Sequence, residues 1–216
     1  MRAARERVLA AAAVARANPA LRLGNRTAAA LRTLRTAKAL SAVTHACKNL
    51  ERTTRLSRVC CHAFVSAGAP ALIFEFVKTL NRSAPHLELL CAALRTLRHV
   101  AAQPAGVSSR GYDVGGARLR VDAPRPKAAV DELADIVQAY RDKPEPFALA
   151  CGLLGDVCSA QRAAHEPSVP ADTVKRLRGV QKVLQHKFEL ESKSHARAKR
   201  PPSLAHLCAL LSSLEA

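Results

Sequence analysis

The chain has 216 residues, 49% of them hydrophobic but only 3% aromatic, with no Trp and a net charge of +17 from 34 Lys/Arg and 17 Asp/Glu. That length suits one good core or a short stack of repeats, and that hydrophobic share excludes wholesale disorder. A core built from Leu, Val and Ala suits closely packed helices rather than strands, and no run of about 18 apolar residues is present to span a membrane.

The elements follow in chain order. Arg2 to Arg16 reads as a basic amphipathic helix. A cleaved targeting peptide fits less well, because Arg16 interrupts the apolar run and no clean cleavage site follows. Asn18-Pro19 stops this helix, since proline disfavours helix in the residue before it. Leu21 to Thr27 is expected to be a connector with a Gly24-Asn25 turn. Ala28 to Leu50 is then expected as one helix, its buried stripe formed by Leu40, Val43, Cys47 and Leu50. Arg32, Arg35 and Lys38 recur on it every three residues, close enough to act together.

From Ser57 to Ala102 three short amphipathic patterns follow one another with almost no linker. Ser57 is placed to cap the first, which is expected to bury Val59, Ala63 and Phe64 and to stop at Gly68, the usual residue just past a helix end. Pro70 opens the second near its first turn, where a missing N–H costs nothing, and Ile73, Phe76 and Leu80 should line its buried side. Asn81, Arg82 and Ser83 turn the chain, and Pro85 opens a third helix striped by Leu87, Leu90, Leu94, Leu97 and Ala101.

Helical patterning fails from Gln103 to Pro126, where four glycines and three prolines interrupt it. The segment is too long for an ordinary connection and reads as a flexible insertion. It resumes with Val130, Leu133, Val137 and Tyr140, then after Pro144 and Pro146 with Phe147, Ala150, Leu154 and Val157. Gly152 and Gly155 weaken that second helix but let a neighbour approach it closely. A further helix is expected with Asp172 as its cap and Val174, Leu177, Leu184 and Phe188 on its apolar side. After Pro201-Pro202, Ser203 is expected to cap a last helix bearing Leu204, Leu207, Leu211 and Leu214. The division is therefore a basic helix over 1–18, helical repeats over 19–102, an insertion over 103–127 and further repeats over 128–216 with a basic segment at 172–200. Short helices with close turns cannot bury their apolar faces alone and must stack. The expected fold is all-α, an armadillo/HEAT-like helical solenoid, a class that binds partners far more often than it catalyses.

No constellation for catalysis emerges. The eight histidines lie without a serine or carboxylate at consistent spacing, and no nucleophile elbow, phosphate-cradling loop or paired-His metalloprotease motif occurs. Cys60, Cys61 and His62 look like a metal cluster, but adjacent helical residues point about 100° apart and cannot converge on one ion. Cys151 and Cys158 share a face about 10.5 Å apart, too far for shared zinc ligation. Neither a cofactor nor an enzyme activity is expected. The seven cysteines are odd in number and sit in apolar patterns, as buried free thiols of a reduced protein would.

Charge carries more information. Met1 to Cys60 holds 13 Lys/Arg against 2 Asp/Glu, and Asp172 to Arg200 holds 9 against 3, while the stretch between them is nearly neutral. Two basic ends suggest an acidic polymer or surface as partner. Arg22, Arg26, Arg32, Arg35 and Lys38, with Lys175, Arg176, Arg178 and Lys182, are the candidate contact surface. Of the basic ends only the second has an aromatic, Phe188, and no nucleic-acid motif is present, so sequence-specific nucleic-acid recognition is not expected. A non-specific nucleic-acid-binding helical protein and a calmodulin-binding helix within Met1–Arg16 stand as the alternatives. Lys199-Arg200 after Arg197 is at best a weak nuclear-entry signal.

The run Val59 to Leu80, with the Leu-striped helix after it, resembles an armadillo repeat. The chain also resembles the C-terminal region of the abnormal spindle family. The residues that carry this are Leu23-Gly24-Asn25-Arg26-Thr27, Thr54-Arg55-Leu56-Ser57, Asn81-Arg82-Ser83-Ala84-Pro85-His86, Tyr140-Arg141-Asp142-Lys143 and Val174-Lys175-Arg176-Leu177, in this order between Asn18 and Leu214. Pro104 to Pro126 does not fit it. The resemblance implies a spindle-associated scaffold region that organises microtubules at spindle poles in cell division. It implies cytoplasmic, cytoskeletal and spindle-pole location, with nuclear residence in interphase, and microtubules or tubulin-associated proteins as partners. Longer members carry calponin-homology domains and calmodulin-binding IQ motifs. Neither is recognisable here, so calmodulin binding does not transfer with the resemblance.

Overall fold

A computed structural model describes residues 18–102, 126–163, 169–194 and 201–215. The helix expected over Arg2–Arg16, with its calmodulin reading, lies outside the described residues, as do nearly all of the insertion and the basic run Arg197–Arg200. The described residues form nine α-helices and no strand.

Helix α1 (Pro19–Thr36) corrects the first expectation, because Leu21–Thr27 is helix rather than connector. Asn18 starts it: its carbonyl accepts Arg22 N–H at 3.1 Å and its Oδ1 accepts Leu21 N–H at 3.4 Å. Thr27 is fully buried with its hydroxyl on the Leu23 carbonyl, and Ala30 and Leu31 are buried beside it. This tertiary burial outweighs the roughly 1 kcal/mol that Gly24 costs inside a helix.

The second correction lies between Thr36 and Leu40. The expected single helix over Ala28–Leu50 is broken there by Ala39, whose backbone is extended (φ −79°, ψ 127°), and α2 (Leu40–Leu56) begins. Neither glycine nor proline marks the break. It lets α1 fold back on α2, so that Leu31 and the stripe of Val43, Cys47 and Leu50 are all buried. Lys38 consequently lies in the break and does not share a helix with Arg32 and Arg35.

Helices α3 (Arg58–Ser66) and α4 (Ala69–Val77) meet at a 72° bend. Gly68 sits in the bend with a left-handed backbone (φ 66°), which a residue with a Cβ adopts only with strain. Ser57 stands at the cap position of α3, but its side chain makes no capping bond. The buried set of α3 is Cys60, Cys61, Phe64 and Val65. Val59, expected inside, is 70% exposed, and Ala63 faces out with it. The 3.6-residue pattern allowed either face, and packing on α1 and α2 chose the one with the phenylalanine. On α4, Ile73, Phe74 and Val77 are buried. Phe76 and Leu80 are only half-buried, against a small cluster of Val43, Cys47, Leu89 and Ala92.

The remaining helices are α5 (Ala84–Ala101), α6 (Pro126–Ala139), α7 (Pro144–Ala163), α8 (Ala171–Ser194) and α9 (Pro202–Glu215). Most of the expected stripe positions are inside, with Leu90, Leu94, Leu97, Val130, Leu133, Val137, Phe147, Leu154, Leu177, Leu207 and Leu211 all buried, whereas Leu87, Ala101, Val174, Phe188 and Leu214 are only half-buried at the edges of the stripes. Helix α6 starts inside the stretch assigned to the insertion. Two caps are displaced by one position or more. The Pro170 carbonyl accepts Thr173 and Val174 N–H, and the Pro201 carbonyl accepts Leu204 and Ala205 N–H, so Asp172 and Ser203 sit inside the first turns.

Helices α1, α2, α5, α7 and α9 neighbour one another in that order as one layer. In the second layer α3 packs on α1 and α2, α4 on α3 and α5, and α6 and α8 on each other and on α7 and α9. Cross-contacts climb together along α2, α5, α7 and α9, which makes these four a parallel ladder. Lys48 meets Glu88, Arg95 meets Glu51 and Glu145, Arg98 meets Asp156, and Arg162 donates to the Ser213 carbonyl. The two glycines of α7 mark close approaches. Gly155 faces Leu210 of α9, and a Cβ on Gly152 would come within 3.0 Å of the Arg98 guanidinium. One core cluster runs from Ala30 to Leu211, so the repeats on either side of the insertion are one all-α solenoid. No single described helix is long and apolar enough to cross a membrane.

None of the seven cysteines is in a disulfide, and six are buried. Burial pushes the Cys47 and Cys151 thiols up to about 12, and those of Cys61, Cys91 and Cys158 to about 11. Thiolate is the reactive form. We therefore expect one fast-labelling thiol per native chain, Cys208, when maleimide uptake is followed at neutral pH, and seven in denaturant. Two or more fast thiols under native conditions would show that the core opens where the packing says it is closed.

Candidate docking surface

The first basic group lies on α1. Arg22, Arg26 and Arg32 are exposed there, Lys38 is exposed in the break, and no acidic partner pairs with them among the described residues. Arg35 has a structural task instead. Its guanidinium donates to the Ala67 carbonyl at the end of α3, a position where cations are favoured by unpaired carbonyls and the helix dipole.

The second group lies on α8. Lys175, Arg178 and Lys182 are exposed, whereas Arg176 is a clamp. It donates to Asp131 at 2.8 Å and to Asp135, both on α6, while Thr173 donates to the same Asp131 at 2.7 Å. The two groups do not merge, because α1 packs on α2 and α3 at one end of the ladder and α8 on α6 and α9 at the other.

Folding adds residues that sequence reasoning passed over. Arg52, Arg55 and Arg58 are exposed at the junction of α2 and α3, beside Leu56 and Val59, which are 64% and 70% exposed. From Pro19 to Ser66 the chain carries nine Lys/Arg and one acidic residue, Glu51. That carboxylate lies 3.7 Å from Arg95 on α5 and is half turned away from solvent. A signal was available, since no acidic residue occurs between Glu51 and Glu75, but periodicity alone had assigned Val59 to the core.

Other charged residues bind the repeats to one another. Arg82 pairs with Asp142 across the two turns that precede α5 and α7, and the Tyr140 hydroxyl reaches the Asn81 carbonyl at 3.4 Å. Within the first turn Asn81 N–H donates to His86 Nδ1 and Ser83 N–H donates to Asn81 Oδ1. Burial opposes ionisation of Asp142, but its own backbone N–H and Arg82 outweigh it and hold the carboxyl below its usual range. The turn residues Asn81, Arg82, Ser83 and Pro85 are therefore a joint between repeats.

Two clefts open between the first turns of the ladder helices. One of about 510 Å³ lies between α2 and α5, over Leu40, Thr44 and Pro85, and one of about 480 Å³ lies between α5 and α7, over Leu87, Cys91 and Pro146. Their rims carry Lys48 with Glu88 and Arg95 with Glu145, which neutralise one another. In the second cleft Glu145 lies beside Cys91, but burial and that carboxylate both disfavour the thiolate, so the pair is not an activated nucleophile. No group of three or more His, Cys, Asp or Glu is placed to hold a metal among the described residues.

Burial holds the His99 imidazole below its usual value. Glu51 works against this, and Arg55, Arg98 and Arg95 reinforce it. The folded ring is thus harder to protonate than the unfolded one, and acid favours unfolding. Stability is expected to fall as the pH drops below 6.5, the ordinary value, and to level off below the folded value. Urea titrations between pH 8 and pH 5 should show a smaller loss in His99→Gln than in the parent, and an identical loss in both would remove His99 as the cause.

No family model matches the chain, and no solved structure does. Curated proteins do. The chain is 31% identical over 180 residues to the abnormal spindle-like microcephaly-associated protein of Homo sapiens and to the homologues so named in Bos taurus and Colobus guereza. The matched stretch is 79% of this chain but only 5% of each of those proteins.

Proposed function

Over 79% of its length the chain is an abnormal-spindle-type region, and from that premise we propose that it serves as a non-enzymatic scaffold in spindle organisation, its α1–α3 end contacting the acidic surface of microtubules. The observation that carries this reading is the charge of that end. Its sequence holds nine cations and one carboxylate; Lys48 is engaged by Glu88 and Arg35 by the Ala67 carbonyl, and the one carboxylate, Glu51, lies 3.7 Å from Arg95. The two-layer stack behind it carries these cations, Lys38 in the break apart, on packed helices, so ordering them on contact loses less conformational entropy than it would on an unstructured segment. Opposed potentials of this kind steer encounter and fix orientation. The cytoskeletal location and a part in cell division follow from the same reading.

The test is co-pelleting of the purified chain with microtubules across a salt series, beside a variant with Arg22, Arg26, Arg32 and Lys38 changed to Glu. Arg35 is left in place because it holds the α3–α4 bend. Binding that persists near physiological salt and is lost in the variant is the expected result. Failure of the parent to pellet, or equal loss of both proteins at modest salt, would overturn the reading and leave the charge as a solvated face.

A further inference from the structure

We propose that the junction of α2 and α3 is a docking site for a short acidic peptide segment of a protein partner, anchored by a large apolar side chain on Leu56 and Val59. The proposal rests on the same electropositive end as the microtubule reading, but it adds an apolar determinant that charge attraction to a polymer does not need.

Isolated exposed aliphatics are ordinary on protein surfaces. These two are not isolated. Only Ser57 and Arg58 separate them, so their Cα atoms lie at most about 11 Å apart, and Ala63 is exposed one turn further along α3. Helix α3 has already satisfied its packing with its opposite side, through Cys60, Cys61, Phe64 and Val65. Its outward side is therefore apolar surplus.

The surroundings say what would cover it. Arg52, Arg55 and Arg58 are exposed at the same junction. Residues 52–74 contain no Asp or Glu, and α1, which packs on α3, contains none either. The two nearest carboxylates in sequence are committed elsewhere, Glu51 to Arg95 and Glu75 to Lys78. A second copy of this surface would bring like charges together, and a neutral apolar helix would leave the Arg52 and Arg55 guanidinium groups at its edge without a counter-charge. A peptide that carries both acids and an aliphatic or aromatic anchor meets both demands. Its anchor would sit on Leu56 and Val59, and guanidinium–carboxylate pairs, often bidentate, would fix its register.

The experiment is selection from a display library of random twelve-residue peptides on the full purified chain in 150 mM salt. The enriched peptides are then titrated by fluorescence anisotropy against the parent, Leu56→Ser/Val59→Ser and Arg52→Glu/Arg55→Glu. We expect enrichment of peptides that combine several Asp or Glu with a Leu, Ile, Phe or Trp. Their affinity should fall at least tenfold in either double variant, and exchanging the apolar residue for Ser should weaken binding to the parent alone. Circular-dichroism melting of the variants checks that these exposed positions leave the fold intact. No enrichment, enrichment of acidic peptides without an apolar residue, or affinities unchanged in Leu56→Ser/Val59→Ser would overturn the proposal. Microtubule pelleting of Leu56→Ser/Val59→Ser keeps the two readings apart. If pelleting persists while peptide binding is absent, only the docking site falls. If the peptides bind as expected and no form pellets, only the microtubule reading falls.

Discussion

Phe147→Ala is expected to lower the unfolding free energy by about 3–5 kcal/mol, the largest loss of any single truncation proposed for this fold. Phe147 is fully buried near the start of α7, and α7 packs on α5, α6 and α9 together. A cavity there removes contacts on three sides, and rigid neighbours cannot collapse to fill it. For a domain of this size the melting temperature should fall by roughly 2–4 °C per kcal/mol, or on the order of 10 °C. Phe76→Ala is the internal control, because that ring is only half-buried on the edge of the smaller cluster; it should lose less than half as much. Stacked repeats are coupled mainly to their neighbours, so hydrogen exchange in Phe147→Ala should accelerate in α6–α9 before α1–α3. Equal losses for the two substitutions would mean that burial does not rank the core as described.

The second large effect is expected at Gly68. Its φ of 66° is left-handed, and a Cβ added there would meet nothing within 4 Å. A substitution is therefore penalised by backbone strain and not by crowding. Gly68→Val should cost on the order of 2 kcal/mol, whereas Gly68→Asn, which tolerates this conformation, should lose little. The 72° bend between α3 and α4 also sets where Arg35 finds the Ala67 carbonyl. Chemical denaturation of the two variants separates the explanations. Similar losses for Asn and Val would assign the glycine to a packing role instead.

The residues that carry the family resemblance turn out to be largely joints. Asn81 and Arg82 interlock with Tyr140 and Asp142, His86 accepts the Asn81 N–H within the first of these turns, Arg176 ties α8 to α6, and the Thr54 carbonyl accepts the Cys61 thiol. Likeness at these positions reports how repeats fit together. The surface around Leu56 and Val59 is written by other residues, with only Arg55 and Leu56 shared.

Sequence alone determined the class of this protein and most of its local structure. Leucine stripes at three- and four-residue spacing, prolines in first turns and Gly68 after α3 are instructions that act within a few residues, so they could be followed without knowing the fold. The net basic character of the ends was equally legible. Tertiary structure decided what depended on neighbours distant in sequence. It carried α1 through Gly24 because Thr27, Ala30 and Leu31 are buried, and it broke the next helix at Ala39 with no local signal because the stripes before and after must face each other. It turned Val59 outward because α3 could bury only one face. It also divided the arginines, setting Arg35 on a carbonyl and Arg176 on two aspartates while leaving Arg22, Arg26 and Arg32 to solvent. Charge is a property of the residue, but its availability is a property of what the fold places beside it.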